Sequence, residues 1–194
     1  MQRIAVAVLA LTLVSGTASA QSPVGGTVEI SAGGAVNHLT DDESYLGAGG
    51  QLSGGVSCRL SRRLTVGVQV EGFRHDRHFD SGVEFKASGA AVVGELLFWF
   101  GSSKVRPFAG PVFGLITVHQ HNRYPRTVPG PHGLPVADGF DQTSNATREE
   151  VWGGAGGVDI AAGKRLFVRP GASVRLSRSF FISIQYGLSV GWRW

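Results

Sequence analysis

The sequence predicts an all-β protein, an eight-stranded antiparallel up-and-down transmembrane β-barrel. Apolar and polar residues alternate along almost the whole chain. This two-residue period is typical of a strand with one apolar face. Many alternating segments reach the roughly 9–11 residues that a tilted strand needs to cross a bilayer. Glycine supplies 29 of the 194 residues, about twice the usual share of about 7%, and it follows no collagen period.

The first twenty residues have the layout of a secretory signal peptide. Arg3 precedes an apolar run from Ile4 to Val14, and Ala18-Ser19-Ala20 supplies a small-residue cleavage site. The run is shorter than the roughly 17–25 residues that a spanning helix needs. We therefore expect residues 1–20 to be removed and residues 21–194 to form one barrel domain.

Eight alternating segments follow, and their even number predicts that both termini lie on the periplasmic side. Short turns are expected after the second, fourth and sixth strands. Longer outer loops are expected at 37–44, 75–83 and 119–148, whereas the last outer connection, near Ser177, is short. The predicted strands are 26–36, 45–58, 64–74, 84–100, 105–118, 149–162, 165–176 and 180–194.

Three prolines fall within predicted strands, where each removes a ladder hydrogen bond. Pro107 and Pro170 lie near strand starts, where the loss is tolerable. Pro111 does not, so we expect a bulge or local irregularity there.

The last segment has the clearest alternation. Apolar or amphipathic residues occupy its even positions and mostly small or polar residues its odd positions. The final part of the even face consists of Tyr186, Leu188, Val190, Trp192 and Trp194. This pattern resembles the terminal strand of bacterial outer-membrane barrels, in which alternating apolar residues and a final aromatic are the signal for the barrel-assembly machinery.

The 21–194 segment as a whole resembles the small eight-stranded bacterial outer-membrane β-barrel family, which includes the membrane domain of OmpA-like proteins. The resemblance does not extend to the peptidoglycan-binding domain that follows the barrel in OmpA-like proteins. It implies outer-membrane lipid and the assembly machinery as partners and says little about activity, since one fold hosts many functions. The terminal residue is Trp194 rather than the more usual phenylalanine.

Lone charges recur on the less apolar face of the strands, as in a narrow polar lumen inside a lipid-facing wall. Because buried charges need partners, we predict an ion-pair network that packs the lumen. Eight strands leave an interior just wide enough for side chains, which disfavours a wide pore. The predicted network contains Glu71, Glu95, Asp159, Arg106, Arg169 and Arg175.

The outer 119–148 segment is long and rich in proline, with Pro125, Pro129, Pro131 and Pro135. The prolines discourage a hydrogen-bonded extension of the strands, so we predict a surface-displayed loop. Extracellular partners or lipopolysaccharide are its possible contacts. Arg74, Arg77, Arg123 and Arg126 lie in the same outer region and suit phosphate, although Asp76, Asp80, Asp138 and Asp141 favour scattered, balanced charge.

All six histidines lie in or next to predicted outer loops. His119 and His121 share one face, and His75 and His78 could approach them from the neighbouring hairpin. Imidazole binds transition metals, but no acidic or cysteine ligand has convincing spacing. We therefore assign no metal site, catalytic site or cofactor, and solvated loop tips explain the histidines better. His38 and His132 complete the set.

The preferred function is a non-catalytic envelope-structural or surface-interaction barrel that acts through its outer loops. A lipid A-modifying barrel enzyme would need a histidine and serine with a carboxylate on the outer wall, and no H-x-S motif occurs. A narrow channel and a soluble periplasmic lipocalin-like ligand-binding barrel remain open; the latter needs the opposite register. Cys58 has no partner for a disulfide, and the modest net charge of +4 with no recognisable module excludes nucleic acid as a predicted partner.

Overall fold

The computed structural model describes residues 26–40, 45–79, 82–101, 104–129, 135–178 and 181–194. These residues form one closed barrel in which each strand pairs antiparallel with its neighbours in sequence and the first closes against the last. The predicted fold class and strand number are confirmed. The strands are β1 (Thr27–Thr40), β2 (Tyr45–Arg59), β3 (Leu64–His78), β4 (Glu84–Trp99), β5 (Val105–Pro129), β6 (Pro135–Ala161), β7 (Leu166–Ser177) and β8 (Ile182–Arg193).

Several predicted features fall outside the described residues. They are the signal peptide at 1–20, residues 41–44 of the first predicted outer loop, Asp80, and the tip of the β5–β6 connection at 130–134, which contains Pro131 and His132. None of the described segments is a helix long and apolar enough to cross a membrane.

Both ends of the barrel sheet lie at one end of the barrel, called the lower end below. Thr27 begins β1 there and Arg193 ends β8 there, and the connections 60–63, 100–104 and 162–165 join strands at the same end. At the lower end the Trp194 amide also donates a hydrogen bond to the Val28 carbonyl, at 3.0 Å. The opposite, upper end carries the connections after β1, β3, β5 and β7.

The strands β1 and β3 extend further upward than predicted, to Thr40 and His78. The largest error concerns 119–148, which is not a loop. Residues 105–129 and 135–161 instead form one long hairpin, paired from Val105↔Ile160 to Pro129↔Pro135 with one register shift between Pro125 and Thr127.

The hairpin tolerates Pro125 because of the direction of its nitrogen. The Ala161 amide donates to the Lys104 carbonyl at 2.9 Å, and hydrogen-bonded pairs alternate along an antiparallel ladder. Even-numbered β5 residues therefore bond β6, while odd-numbered ones face β4. Pro125 is odd and lies above Arg123, the last β5 residue paired with β4, so its missing N–H breaks no ladder bond.

Pro111 has the same parity but lies beside β4. The β4–β5 pairing runs to Glu95↔Val112 and resumes at Phe98↔Ala109 without a change of register. The expected irregularity is thus an interruption of the ladder and not a bulge. Pro170 of β7 has a similar effect on the ladder between β6 and β7. That pairing is interrupted between Gly157↔Gly171 and Ile160↔Val168.

Candidate functional site

The outer wall of the barrel is an apolar belt. Exposed side chains such as Val68, Phe113, Trp152 and Leu188 are 51–61% accessible. Above the belt the outward positions become polar, as at Arg74 on β3. The alternative register, with this face buried around a ligand, is wrong because the same strands bury charged side chains on their inner face.

The predicted terminal-strand residues lie on this outer wall. Their alternation places all five on the face that a bilayer would contact, and Trp194 is 60% exposed. The set is Tyr186, Leu188, Val190, Trp192 and Trp194, and each member is exposed.

The lower end of the lumen is closed by an ion-pair cluster around two buried carboxylates. Glu29 contacts Arg59 at 2.9 Å, Arg169 at 2.8 Å and Arg193 at 3.2 Å. Asp159 contacts Arg106 and Arg193 at 2.7 Å each and Arg169 at 3.6 Å. We call this set the floor: Glu29, Arg59, Arg106, Asp159, Arg169 and Arg193.

Aromatic rings take up part of the floor's positive charge. The four arginines exceed the two carboxylates by two charges, and guanidinium groups are attracted to ring faces. Arg59, Arg106 and Arg169 lie 5.3, 5.2 and 4.9 Å from the centre of the Trp99 ring. The Trp99 indole N–H donates to the Thr65 hydroxyl at 2.8 Å, which fixes the ring in place.

The middle of the lumen holds a second ionic group. Arg175 forms a two-pronged contact with Glu71, in which Nη2 lies 2.7 Å from Oε1. Glu95 accepts a hydrogen bond from the Gln69 amide at 2.9 Å. A cavity of about 110 Å³ lies among these side chains.

Amides and hydroxyls continue the polar packing on the β8 side. Asn37 donates to Gln51 at 3.0 Å, and Gln51 donates to Gln185 at 3.2 Å. The Ser173 and Ser183 hydroxyls donate to Gln185 and Asn37. Above this layer the interior is mainly apolar, with a cluster of buried residues that includes Leu39, Phe73, Ile116 and Val151. His75 is also buried there, beside the Phe73 ring.

All six residues predicted for the lumen network have their side chains inside the barrel. Five are buried, and Arg106 is 14% exposed. Sequence reasoning missed Glu29, Arg59 and Arg193, which contribute half of the floor. The alternation of the sequence does place each of the three on the polar face of its strand. Each lies within two residues of a strand end, however, where the alternation alone does not show whether a residue faces the lumen.

The histidines do not form a common site. His75 is buried inside the barrel, whereas His119 and His121 are exposed on its outside. The expected approach of His75 to this pair is therefore wrong. Within the described residues no group of three or more histidine, cysteine or acidic side chains could hold a metal ion.

The structure brings one serine to a histidine that the sequence separates. Ser88 on β4 is directly opposite His119 on β5, and both are exposed on the outer wall above the belt. The outward neighbours of His119 are Thr117 and His121 on its own strand and Ala146 on β6. No carboxylate is among these neighbours.

The outer arginines are largely balanced or stacked. Arg74 pairs with Asp76 at 2.9 Å, and Arg123 lies 3.5 Å from Glu84. Arg123 also lies over the Phe140 ring at 3.6 Å, and Arg77 over Phe79 at 4.4 Å. These contacts favour scattered surface charge over a single phosphate-binding cluster.

The long β5–β6 hairpin rises above its neighbours as a two-stranded ribbon. On one side β4 reaches only Arg123, and on the other side β7 reaches only Val151. Residues 139–148 of β6 are exposed at every position. We call residues 119–129 and 135–150 the ribbon, of which residues 119–123 still pair with β4 on one side.

Solved structures with this architecture are small membrane barrels. Neisserial surface protein A matches with a TM-score of 0.59 at 13% identity, and covers 88% of this chain and all of its own. Ail of Yersinia pestis, in complex with the heparin analogue sucrose octasulfate, matches with a TM-score of 0.58 at 11% identity over the same shares. The chain has the fold of the small eight-stranded outer-membrane β-barrels.

A third barrel of this fold, OprG of Pseudomonas aeruginosa, matches with a TM-score of 0.52 at 10% identity over 87% of this chain and 96% of its own. No family model and no curated protein matches the sequence. At these identities the likeness describes the fold, and function has to be argued from the residues of this chain.

Proposed function

We propose that this protein is a non-catalytic integral barrel of the bacterial outer membrane that makes surface contacts through its ribbon. The observation that carries the proposal is that the polar groups of the lumen and those of the ribbon differ in their contacts. The ionic and amide side chains of the lower and middle lumen are engaged with one another, whereas residues 139–148 of the ribbon are exposed to solvent. The barrel then acts as a rigid support, and the ribbon is the surface available to a partner.

The apolar belt supports the membrane location. Its residues replace the polar exterior of a water-soluble barrel, and a closed barrel leaves no unpaired edge within the bilayer. The alternating face from Tyr186 to Trp194 serves as the assembly signal in this proposal. Outer-membrane lipid contacts the belt, and the barrel-assembly machinery recognises the terminal strand.

The packing of the lumen supports a structural role for its charges. A floor of ion pairs and aromatic rings closes the lower end, and an apolar cluster fills the upper half. We expect planar-bilayer recordings of the reconstituted protein to show no conductance. Well-resolved channel openings would contradict this role.

The ribbon has the composition of a contact surface. It carries polar side chains on both faces, with Arg123, Arg126 and His121 on the β5 strand and Asp141 on the β6 strand. The Ail barrel, which has the same fold, was solved with sucrose octasulfate, a heparin analogue. That complex is a precedent for ligand binding by a barrel of this fold.

The test combines location with exposure. Cells expressing a Ser144→Cys, Cys58→Ser variant are treated with a maleimide that cannot cross the outer membrane. We expect rapid labelling of intact cells and a heat-dependent shift in gel mobility of the outer-membrane fraction. A Ser57→Cys, Cys58→Ser variant is the control, because Ser57 faces the lumen near its lower end; protection of Ser144→Cys would contradict the proposal.

A lipid-modifying enzyme is the second candidate, favoured by the placement of Ser88 opposite His119. A base of this kind needs a carboxylate to orient it, and none is among its outward neighbours. We therefore expect lipid A acylation to be the same in cells with the wild-type protein, the Ser88→Ala variant and no protein. A change that requires Ser88 would establish the enzyme.

A further inference from the structure

We propose that the lower end of the barrel binds the anionic headgroups of phospholipids in the leaflet around it. This inference rests on the proposed membrane role and adds the headgroup chemistry and the residues that select it. It is carried by the connections 60–63, 100–104 and 162–165, which contain five basic side chains and no acidic one. We call the five basic residues the lower ring: Arg62, Arg63, Lys104, Lys164 and Arg165.

The positive charge of the lower ring is not neutralised within the described part of the chain. All five residues are exposed, and their side chains form no ion pair or hydrogen bond with another described residue. The acidic side chains of the lower end are Glu29 and Asp159, and both are already shared among the four arginines of the floor. Because the floor itself has an excess of positive charge, it adds to the positive potential of this end.

The backbone of the barrel holds three of these cations at its rim. The carbonyl groups of Arg63, Lys104 and Arg165 each accept a ladder hydrogen bond from the neighbouring strand, at 2.9 Å. The donors are the amides of Trp99, Ala161 and Arg193. Since the main chain is already fixed, binding an anion has to order only the side chains, which lowers its entropic cost.

Two of the three connections have the same construction. In the turns 60–64 and 162–166, the amide of the first residue donates to the carbonyl of the last, at 2.9 and 3.0 Å. Each turn thus encloses three residues, and the last two of them are basic. The two turns lie on opposite sides of the barrel, and Lys104 lies in the third connection between them. The cations are therefore spread around the rim, where lipids surround the barrel, and do not form one pocket.

The apolar neighbours of the lower ring favour lipid over a soluble acidic partner. Leu60 and Phe100 lie in the connections themselves and are 56% and 55% exposed, and Val105 directly follows Lys104 and is 50% exposed. A soluble partner would leave these side chains in water, whereas the boundary of a bilayer accommodates both groups. Long basic side chains extend from apolar surface to the charged headgroups. With the ribbon displayed outside the cell, this boundary belongs to the periplasmic leaflet.

The experiment uses the full barrel reconstituted in phosphatidylcholine vesicles with a trace of spin-labelled lipid. Electron spin resonance measures the motionally restricted fraction of labelled phosphatidylglycerol and of labelled phosphatidylcholine, which gives their relative association constant for the barrel surface. The lower-ring variant carries Arg62→Gln, Arg63→Gln, Lys104→Gln, Lys164→Gln and Arg165→Gln. A matched control removes the same charge from the upper end by Arg74→Gln, Lys86→Gln, Arg126→Gln, Arg148→Gln and Arg178→Gln.

We expect the wild type to prefer phosphatidylglycerol at least about twofold at low salt. High salt, which screens the headgroup charge, and the lower-ring variant should each bring the ratio close to one. The upper-end control should keep a ratio nearer to that of the wild type. A wild-type ratio of one would overturn the proposal, as would an equal loss in the two variants, which would show that overall charge sets the preference.

A soluble acidic partner is tested with labelled polyglutamate and nanodiscs that contain the barrel and only phosphatidylcholine. Binding that requires the lower ring, without a preference for phosphatidylglycerol, would assign this surface to such a partner and overturn the proposal. The heat-dependent gel shift shows that each variant is folded. Neither the shift nor the maleimide labelling depends on the headgroup preference, so failure of this inference and failure of the proposed function are distinguishable.

Discussion

The floor of the lumen and the ribbon are both built from polar residues, but their bonding differs. In the floor, Glu29 and Asp159 each contact three guanidinium groups and are buried. In the ribbon, residues 139–148 are exposed at every position, and one edge faces no described strand. The difference follows from burial. A buried charge loses its hydration, so it is stable only when an opposite charge of the same chain lies beside it.

This comparison indicates which region can have an external function. A floor residue that bound a ligand would have to give up an internal ion pair. An exposed ribbon residue can exchange its bound water for a partner without breaking a contact within the chain. Stability should therefore depend on the floor and binding on the ribbon, and substitutions in the two regions should separate these properties.

The largest effect is expected for Asp159→Ala. Its removal takes away the carboxylate that Arg106 contacts and leaves Arg169 and Arg193 with Glu29 alone. Breaking a buried ion pair costs about 3–5 kcal/mol. Urea unfolding of the protein in lipid vesicles, followed by the heat-dependent gel shift, measures the change. The ribbon variant Asp141→Ala is the control and should remain within about 0.5 kcal/mol of the wild type. Equal effects would remove the distinction between the two regions.

A smaller effect is expected for two adjacent glycines on opposite faces of β6. A Cβ atom at Gly153 would collide with the Val174 carbonyl oxygen, whereas at Gly154 the nearest atom would be 3.8 Å away. Gly153→Ala should therefore lower the free energy of unfolding by about 1–3 kcal/mol, and Gly154→Ala should leave it nearly unchanged. Comparable losses at both positions would show that the wall is not packed as described.

Replacing the indole in the floor should have a moderate effect. Trp99→Phe removes the hydrogen bond to Thr65 and leaves a ring that attracts guanidinium groups less strongly. The expected loss is about 1–2 kcal/mol, measured by the shift in the urea midpoint. Trp152→Phe on the outer wall should cause a smaller loss, and the reverse order would contradict the assignment of Trp99 to the floor.

Sequence alternation was sufficient to predict the strand number and the inward direction of residues such as Glu71 and Arg175. It depends only on local geometry, because side chains of a strand point alternately to two faces. It could not pair Glu29 with Arg169 or place Ser88 opposite His119, since those contacts depend on the register between strands. Cross-strand register is set by the whole ladder and the barrel closure.

The ribbon was predicted incorrectly because proline was treated as a strand breaker without regard to the direction of its nitrogen. Pro125 lies above Arg123, the last β5 residue that pairs with β4 in the described part of the chain, so no ladder bond is lost. A proline's effect on a strand thus depends on which side of it is paired.

The central claim is that the barrel is a self-sufficient support and the ribbon a separate contact surface. It is tested most directly by replacing residues 125–140 with an Asn-Gly turn, which joins the hydrogen-bonded pair Tyr124 and Asp141. The account predicts that the shortened protein keeps the heat-dependent gel shift and a urea midpoint close to that of the wild type. Loss of the shift, or a strongly lowered midpoint, would show that the ribbon is part of the structural core and would contradict the account.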